Sequence, residues 1–435
     1  MPKGNSSHDP IVQNNELSLS NNRANYVLAV LFVVYVVNFI DRQILAILLE
    51  PIKNDLQVSD TAMGFLTGFA FAIFYTFTGI PIARWADRGS RTTIIAIGLF
   101  LWSTMTGLSG LARNFFQLAL ARIGVGVGEA CASPASHSLI SDYFPPEHRA
   151  TALSIYNMGA CVGLLFGIFI GGWIAEYYGW RVAFFVVGFP GIALAAVVKY
   201  SVAELPRGHS EGLNNAEQYT TGEVFRYMWR LRSFRHLTFA SSLYTFATYG
   251  LITWVPAFLM RTHEMSISQV ATWYGPILGV GSATGTFIGG VVCDSLIKKD
   301  IRWQSWICAL GGIVMVPFLL LFLFLPNYVL ALSCYIPALV FGAFFIGPTF
   351  AMAQGLAKLS MRAVASSVVI FFNNLIGMGL GAQVVGILND ILAESYGSNA
   401  IRYSLLIVGA TTLWAAGHSM LAAHYIRDDL NNKDN

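Results

Sequence analysis

Apolar residues run in long blocks separated by short polar breaks. Blocks of about 20 or more fall near 24–49, 60–83, 92–112, 115–143, 150–176 and 181–200. A second set falls near 236–260, 267–292, 303–325, 328–356, 363–389 and 401–426. About 20 consecutive apolar residues are what a helix needs to cross a bilayer core, so the pattern predicts twelve membrane-spanning helices. The polar stretch 201–235 parts the two sets and holds Pro206, Gly208 and the basic run Arg226, Arg230, Arg232 and Arg235. The expected layout is therefore a tail at 1–23, a six-helix bundle at 24–200, a linker at 201–235, a second six-helix bundle at 236–426 and a tail at 427–435. A short amphipathic helix is expected at the end of the linker.

Composition agrees with this pattern. The 435 residues are 55% hydrophobic and 11% charged, with a mean hydropathy of +0.59. A soluble domain carries about 25% charged residues, so most of this chain does not face water. The net charge of +3 informs little, but its placement does. With the N-terminus taken as cytoplasmic, 19 of the 26 Lys and Arg fall in segments on that side, five on the other side and two within spans. Positive residues favour the cytoplasmic loops, so both termini are expected inside. The polar N-terminal stretch lacks the charged-then-apolar pattern of a signal peptide. Glycine stands at position 4 rather than 2, so the myristoylation pattern fails. The five cysteines lie in apolar blocks without a CxxC pair, and are expected to be packing residues with no metal site.

The two halves repeat one another. Ser59 opens span 2 and Asp87 closes it, while Ser266 and Asp294 stand 207 positions later around span 8. Span 5 begins Arg149-Ala150-Thr151-Ala152 and span 11 begins Arg362-Ala363-Val364-Ala365. The same spans end in Glu176-Tyr177-Tyr178-Gly179 and Glu394-Ser395-Tyr396-Gly397. Internal repeats of this kind mark many transporter folds.

Four charges lie within spans: Asp41 and Arg42 in span 1, Arg122 and Glu129 in span 4. Each costs about 2.5–3.5 kcal/mol at the bilayer centre on insertion scales, so each is a candidate functional group. Counting about 1.5 Å per residue sets Asp41, Arg42 and Arg122 at one depth and Glu129 nearer the midplane. An Asp41–Arg122 pair across spans 1 and 4 is the expected contact, with Glu129 two turns from Arg122. Burial and a neighbouring arginine pull a carboxyl's proton affinity in opposite senses, so Asp41 and Glu129 are the candidates for proton coupling. Arg42, Arg122 and Glu129 are the candidates for substrate binding. No Lys, Arg, Asp or Glu lies deep in spans 7 to 12, so one wall of a central cavity would be charged and the other apolar. His137 is expected to be a packing residue, and Asn373, Asn374 and Gln383 to bond between helices, with Asn373 also placed to face the cavity. Span 5 carries Gly159, Gly163, Gly167, Gly171 and Gly172, read as a helix-packing face.

The segment Gly79-Ile-Pro-Ile-Ala-Arg-Trp-Ala-Asp87-Arg88-Gly89-Ser90-Arg91 resembles the loop signature of the major facilitator superfamily, with Ala83 and Ser90 where glycine is usual. The resemblance implies a conformational latch at Asp87, Arg88 and Arg91, with Asp294 as its thinner second copy. Asn38-Phe39-Ile40-Asp41-Arg42-Gln43, the Arg122-to-Pro134 segment and Ser141-Asp142-Tyr143-Phe144-Pro145-Pro146 look like a bacterial spinster-type member. That likeness covers nearly the whole chain. It implies an all-α integral membrane fold of two pseudo-symmetric six-helix bundles, in a bacterial inner membrane. It further implies secondary transport of a lysolipid or a sphingosine-phosphate-like lipid, with proton coupling. Proton-coupled organic-anion symporters for sugar acids in the same superfamily share the Asp-Arg and Arg-x6-Glu pairs, and they are the alternative. No soluble catalytic domain or activated nucleophile pattern suggests an enzyme, and seven-span receptors do not fit twelve spans. The expected partners are membrane lipids, an amphiphilic substrate and protons. No cofactor, metal or nucleic acid is expected, and the chain is expected to be a monomer.

Overall fold

The computed structural model describes residues 10–86, 88–205, 220–358 and 361–431. Those residues form helices and short connections, with no strand among them. Backbone groups in hydrocarbon must be satisfied within their own segment, which favours helices. In the first half the spans are Asn22–Ile47, Asp60–Ala86, Arg91–Ser109, Phe115–Tyr143, Thr151–Tyr178 and Trp180–Ser201. In the second half come Arg232–His263, Ile267–Ile297, Trp303–Phe324 and Tyr328–Leu356 as spans 7 to 10. The last apolar stretch, Arg362–Asn431, is 70 residues long, enough for two crossings. It turns at Gly397, whose φ of 54° is a conformation that glycine adopts without strain. Span 11 therefore ends at Tyr396 and span 12 is Ala400–Asn431. Several boundaries differ from expectation, and the last helix runs to Asn431, inside the stretch read as the C-terminal tail. The first helix already begins at Pro10, inside the stretch read as a tail. Span 7 begins at Arg232, directly after a linker helix, Thr221–Arg230.

The repeat is visible in local geometry. Ser59 and Ser266 both cap their helices, each accepting a backbone N–H from three residues on, which satisfies a donor with no partner in the helix. Span 4 is broken between Glu129 and Ala132, and span 10 between Gly342 and Ile346. Spans 2 and 11 each contain a widened turn, Phe65–Phe69 and Asn373–Met378, a feature frequent at functional sites.

Small residues let the spans approach. The glycines of span 5 lie along span 1: a Cβ on Gly163 would stand 2.4 Å from the Phe39 Cβ and 2.7 Å from the Val36 carbonyl oxygen. On Gly159 it would stand no closer than 3.1 Å, to the Phe32 carbonyl. Gly163→Ala is therefore expected to lower the thermal midpoint of the purified protein, at a cost of about 1–3 kcal/mol typical of overpacking. Gly159→Ala should cost less, and equal midpoints for the two variants would contradict this packing.

The two halves meet away from the termini. On that far side, a Cβ on Gly64 would lie 2.8 Å from the Ala382 carbonyl, on Gly386 2.4 Å from the Asp60 carbonyl, and on Gly172 2.4 Å from the Ala271 Cβ. Toward the termini, spans 2 and 11 still touch at Phe77 and Phe371, with ring centroids 6.3 Å apart. Beyond this pair, Gly79 and Gly290 have nothing within 4 Å of where a Cβ would be. Met158 of span 5 and Phe287 of span 8 are exposed. The molecule is closed on the far side and open toward the side of its termini.

Candidate functional site

The four intramembrane charges converge between spans 1 and 4, in a pairing other than the expected one. Arg42 donates to Glu129 Oε2 from Nη2 at 2.6 Å and from Nε at 3.2 Å. Its Nη2 also reaches Asn38 Oδ1 at 3.4 Å. The guanidinium lies 4.9 Å from the ring centres of Phe39 and Phe71 and 5.2 Å from that of Tyr75, within cation–π range. Arg122 donates from Nη1 to the backbone carbonyl of Asp41 at 3.3 Å, not to Glu129. Asp41 and Glu129 are fully buried. Among the described residues, both Asp41 carboxyl oxygens, Glu129 Oε1 and Arg122 Nε lack a well-formed hydrogen bond. The cluster thus holds one well-made ion pair and one acid and one arginine that face each other incompletely.

Local structure explains the placement. Glu129 is the last residue of the helical segment Phe115–Glu129, immediately before the break in span 4. Gly98 and Gly128 press spans 3 and 4 together, since a Cβ on Gly128 would stand 2.7 Å from the Trp102 nitrogen. That contact seats Trp102 and Thr106 beside the Asp41 carboxyl.

Arg42 also borders a cavity of about 20 Å³ between the halves, shared with Thr67, Phe71, Tyr249, Thr253 and Met378. That is room for about one water. The second half contributes hydroxyls and apolar atoms here but no charge. Farther along the interface, toward the far side, an open cleft of about 530 Å³ is lined by Phe65, Phe69, Phe115 and Leu380 together with Ser59, Thr61, Ala62 and Gln383. Asn373, at the start of the widened turn in span 11, donates to Ser241 Oγ at 2.8 Å and accepts from Ser242 Oγ, so it binds span 7 within its own half. Gln383 instead crosses the interface, donating to the Thr61 carbonyl at 3.2 Å.

A second charged cluster went unread in the sequence. On the far side, Asp60 of span 2 is nearly buried. It accepts from both terminal nitrogens of Arg261 at the end of span 7, from Asn389 Nδ2 at 2.9 Å in span 11, and from Lys53. Arg261 also donates from Nε to Glu50 at 2.7 Å. Asp390 accepts the backbone N–H groups of Asp60 and Thr61 at 3.2 and 2.8 Å, a carboxylate from one half set on a helix N-terminus of the other. This network ties the two halves together. Only the concentration of acids and bases at the far ends of spans 2, 7 and 11 hinted at it.

Of the expected latch, Asp87 lies outside the described residues. Arg91 is fully buried and works within its own half, bonding to Asp142, to Glu204 at 2.8 Å, to Ser138 and to the Leu205 carbonyl at 2.7 Å. Burial alone would raise the Glu204 carboxyl, but the Thr92 N–H, the Arg91 guanidinium and the Ser90 hydroxyl outweigh it and hold the group down to about 2. Arg88 and Asp294 are exposed and make no ion pair among the described residues. His137 stands exposed, its ring edge-on to Tyr156 at 5.3 Å. The five cysteines are free.

Comparison with known proteins agrees with this architecture. Residues 31–382 match the Major Facilitator Superfamily. An MFS-type efflux pump of Mycolicibacterium smegmatis is 35% identical over 93% of this chain and 94% of its own length. Protein spinster of Drosophila melanogaster is 30% identical over 68% of this chain and 50% of its own. A probable galactarate/D-glucarate transporter of Bacillus subtilis is 29% identical over 63% and 65%. A bacterial homolog of the human lysosomal transporter Spinster, solved inward-facing and unoccupied, superimposes with a TM-score of 0.86 at 30% identity, over 94% of this chain and 98% of that one. Family and fold are those of multi-pass membrane transporters rather than enzymes. The chain belongs to the major facilitator superfamily, as a spinster-type member.

Proposed function

We propose that the protein is a proton-coupled secondary transporter for an amphiphile with an anionic or zwitterionic headgroup and an apolar tail, of the lysolipid or sphingosine-phosphate kind. The observation that carries this reading is the Arg42–Glu129 pair, whose arginine borders a cavity with an opposite wall, Tyr249, Thr253 and Met378, that carries no charge. A headgroup phosphate suits Arg42 and Arg122, because arginine offers a planar fork of donors to such groups. The aromatic cleft of Phe65, Phe69 and Phe115 suits a tail better than a sugar acid. Alternating access around this site would carry the headgroup from one face to the other. In this reading the termini are cytoplasmic, the open side faces the cytoplasm and the membrane is the bacterial inner membrane.

A second reading has its own support. Relatives include the galactarate/D-glucarate transporter and a hexuronate transporter of Bacillus subtilis, the latter 27% identical over 67% of this chain. For such a substrate the same arginines would hold a carboxylate. Counterflow in liposomes separates the two, with lysophospholipid or sugar acid loaded inside. Exchange of the lysolipid is expected, with a loss of tenfold or more in Arg42→Ala and Arg122→Ala, the scale of a charge-assisted hydrogen bond of about 1.5–3 kcal/mol. Exchange of the sugar acid alone would overturn the lipid reading in favour of the second. Exchange of neither would overturn both.

A further inference from the structure

The linker ends in a helix with three distinct faces. Thr220 and Glu223 cap its start reciprocally: the Thr220 hydroxyl accepts the Glu223 N–H, and the Glu223 carboxylate accepts the Thr220 N–H at 2.8 Å. Val224 and Met228 are fully buried against Met352 and Leu356 of span 10 and Ala365 of span 11. One stripe further round, Phe225 stacks on Trp229, and Trp229 stacks on Phe372 of span 11, both at 5.3 Å. Opposite the buried face stand Arg226 and Arg230, one turn apart and exposed.

The first turn of span 7 continues the basic surface with Arg232 and Arg235. None of the four arginines forms an ion pair among the described residues. The helix's own acid, Glu223, is engaged in the cap. Asp429 is engaged too, accepting the Ser233 N–H at 2.7 Å and the Ser233 hydroxyl at 2.6 Å. Arg232 rests its guanidinium 5.3 Å from the Tyr425 ring.

An amphipathic helix joining two membrane spans lies at the bilayer surface, where aromatic rings settle at headgroup level and arginines meet phosphates. Four arginines within ten residues, none in an ion pair among the described residues and set beside a Phe–Trp stripe, are complementary to negative charge held at that depth. We propose that this helix and the first turn of span 7 form a binding surface for the phosphate headgroups of anionic lipids in the leaflet on the side of the termini. The inference is independent of the transported substrate. It has a structural consequence: Trp229 stacks on the residue immediately before the widened turn Asn373–Met378. A lipid seated on the arginines therefore steadies the end of span 11 that stands at the open side.

The test uses the full chain in nanodiscs of phosphatidylcholine, with or without phosphatidylglycerol. Phosphatidylglycerol is expected to raise the thermal midpoint of the wild type, and added salt to reduce that rise. Arg226→Gln/Arg230→Gln, whose substitutions lie outside the spans, should lose most of the rise while keeping the wild-type midpoint in pure phosphatidylcholine. Native mass spectrometry should show several-fold less retained phosphatidylglycerol on this variant. An equal rise and equal retention in variant and wild type would overturn the proposal and leave the arginines as orienting charges only. Inorganic phosphate added to phosphatidylcholine nanodiscs should give no comparable rise, and a rise of the same size would assign the surface to free phosphate instead. If the glutamine variant fails to insert, Arg226→Lys/Arg230→Lys keeps the inserting charge. Its response to phosphatidylglycerol should then fall steeply with salt, and a salt-independent response would overturn the proposal.

Discussion

Asp60→Asn is expected to shift the protein toward a state open on the far side. The Asp60 carboxylate takes donors from Arg261 and Asn389 in one half and from Lys53 in its own. Asparagine keeps the shape but removes the charge, and it turns one of the two acceptor oxygens into a donor facing two donors. Arg261 would keep Glu50, while Lys53 would lose its counter-ion. Breaking a buried pair by removing one partner costs about 3–5 kcal/mol, which is about a hundredfold or more in the ratio of two states. That cost falls on the closed far side alone, because an open far side would already part Asp60 from Arg261. Spin-label distance distributions between far-side positions of the two halves should therefore lengthen in Asp60→Asn and in Arg261→Ala. Wild-type distributions in both variants would show that this network does not hold the halves together.

The lock and the central cluster were legible to different degrees, for a physical reason. The spans follow from run length alone, and the charges of spans 1 and 4 stand out because an intramembrane charge is costly. Their pairing did not follow. Asp41 and Arg42 are adjacent, and adjacent residues project about 100° apart around a helix of 3.6 residues per turn. One therefore faces the span 3 side, beside Trp102 and Thr106, while the other reaches Glu129. Counting residues from span ends set Arg42 and Glu129 at different depths, yet the two side chains meet at 2.6 Å. An arginine side chain is long enough to erase such a difference. Lys53, Asp60, Arg261 and Asp390 read individually as ordinary loop or cap charges. They become a site only when the far ends of spans 2, 7 and 11 come together, which depends on how the halves dock rather than on any local pattern. The linker helix was readable as a short amphipathic helix because that signal is local, while its capping box at Thr220 and Glu223 emerged in the structure.

Asp41→Asn is expected to abolish the pH response of conformation and transport while leaving the fold intact. Asp41 is fully enclosed, with Trp102 and Thr106 beside its carboxyl and no side chain among the described residues in a well-formed hydrogen bond to it. Arg122 sits against its backbone carbonyl with Nε unpartnered. With all four groups ionised, Asp41, Arg42, Arg122 and Glu129 sum to zero charge. A proton on Asp41 leaves the cluster at +1, with Arg122 lacking a counter-charge. Arg42 stays occupied by Glu129 at 2.6 Å, so Arg122 is the group released to attract an anionic headgroup. In the proposed cycle, loss of that proton would restore neutrality and weaken the hold on the headgroup, which would link proton and substrate through a change in differential binding. Asparagine fixes the uncharged arrangement at constant size. Downhill exchange of substrate should persist in the variant, while uphill transport driven by a pH gradient is lost. Glu129→Gln should behave differently, because it frees Arg42 from its ion pair and alters headgroup binding at every pH. Both variants are read in proteoliposomes with and without an imposed gradient, alongside distance distributions at acid and neutral pH. If Asp41→Asn keeps the full pH response in both measurements, Asp41 is structural and the proton binds elsewhere.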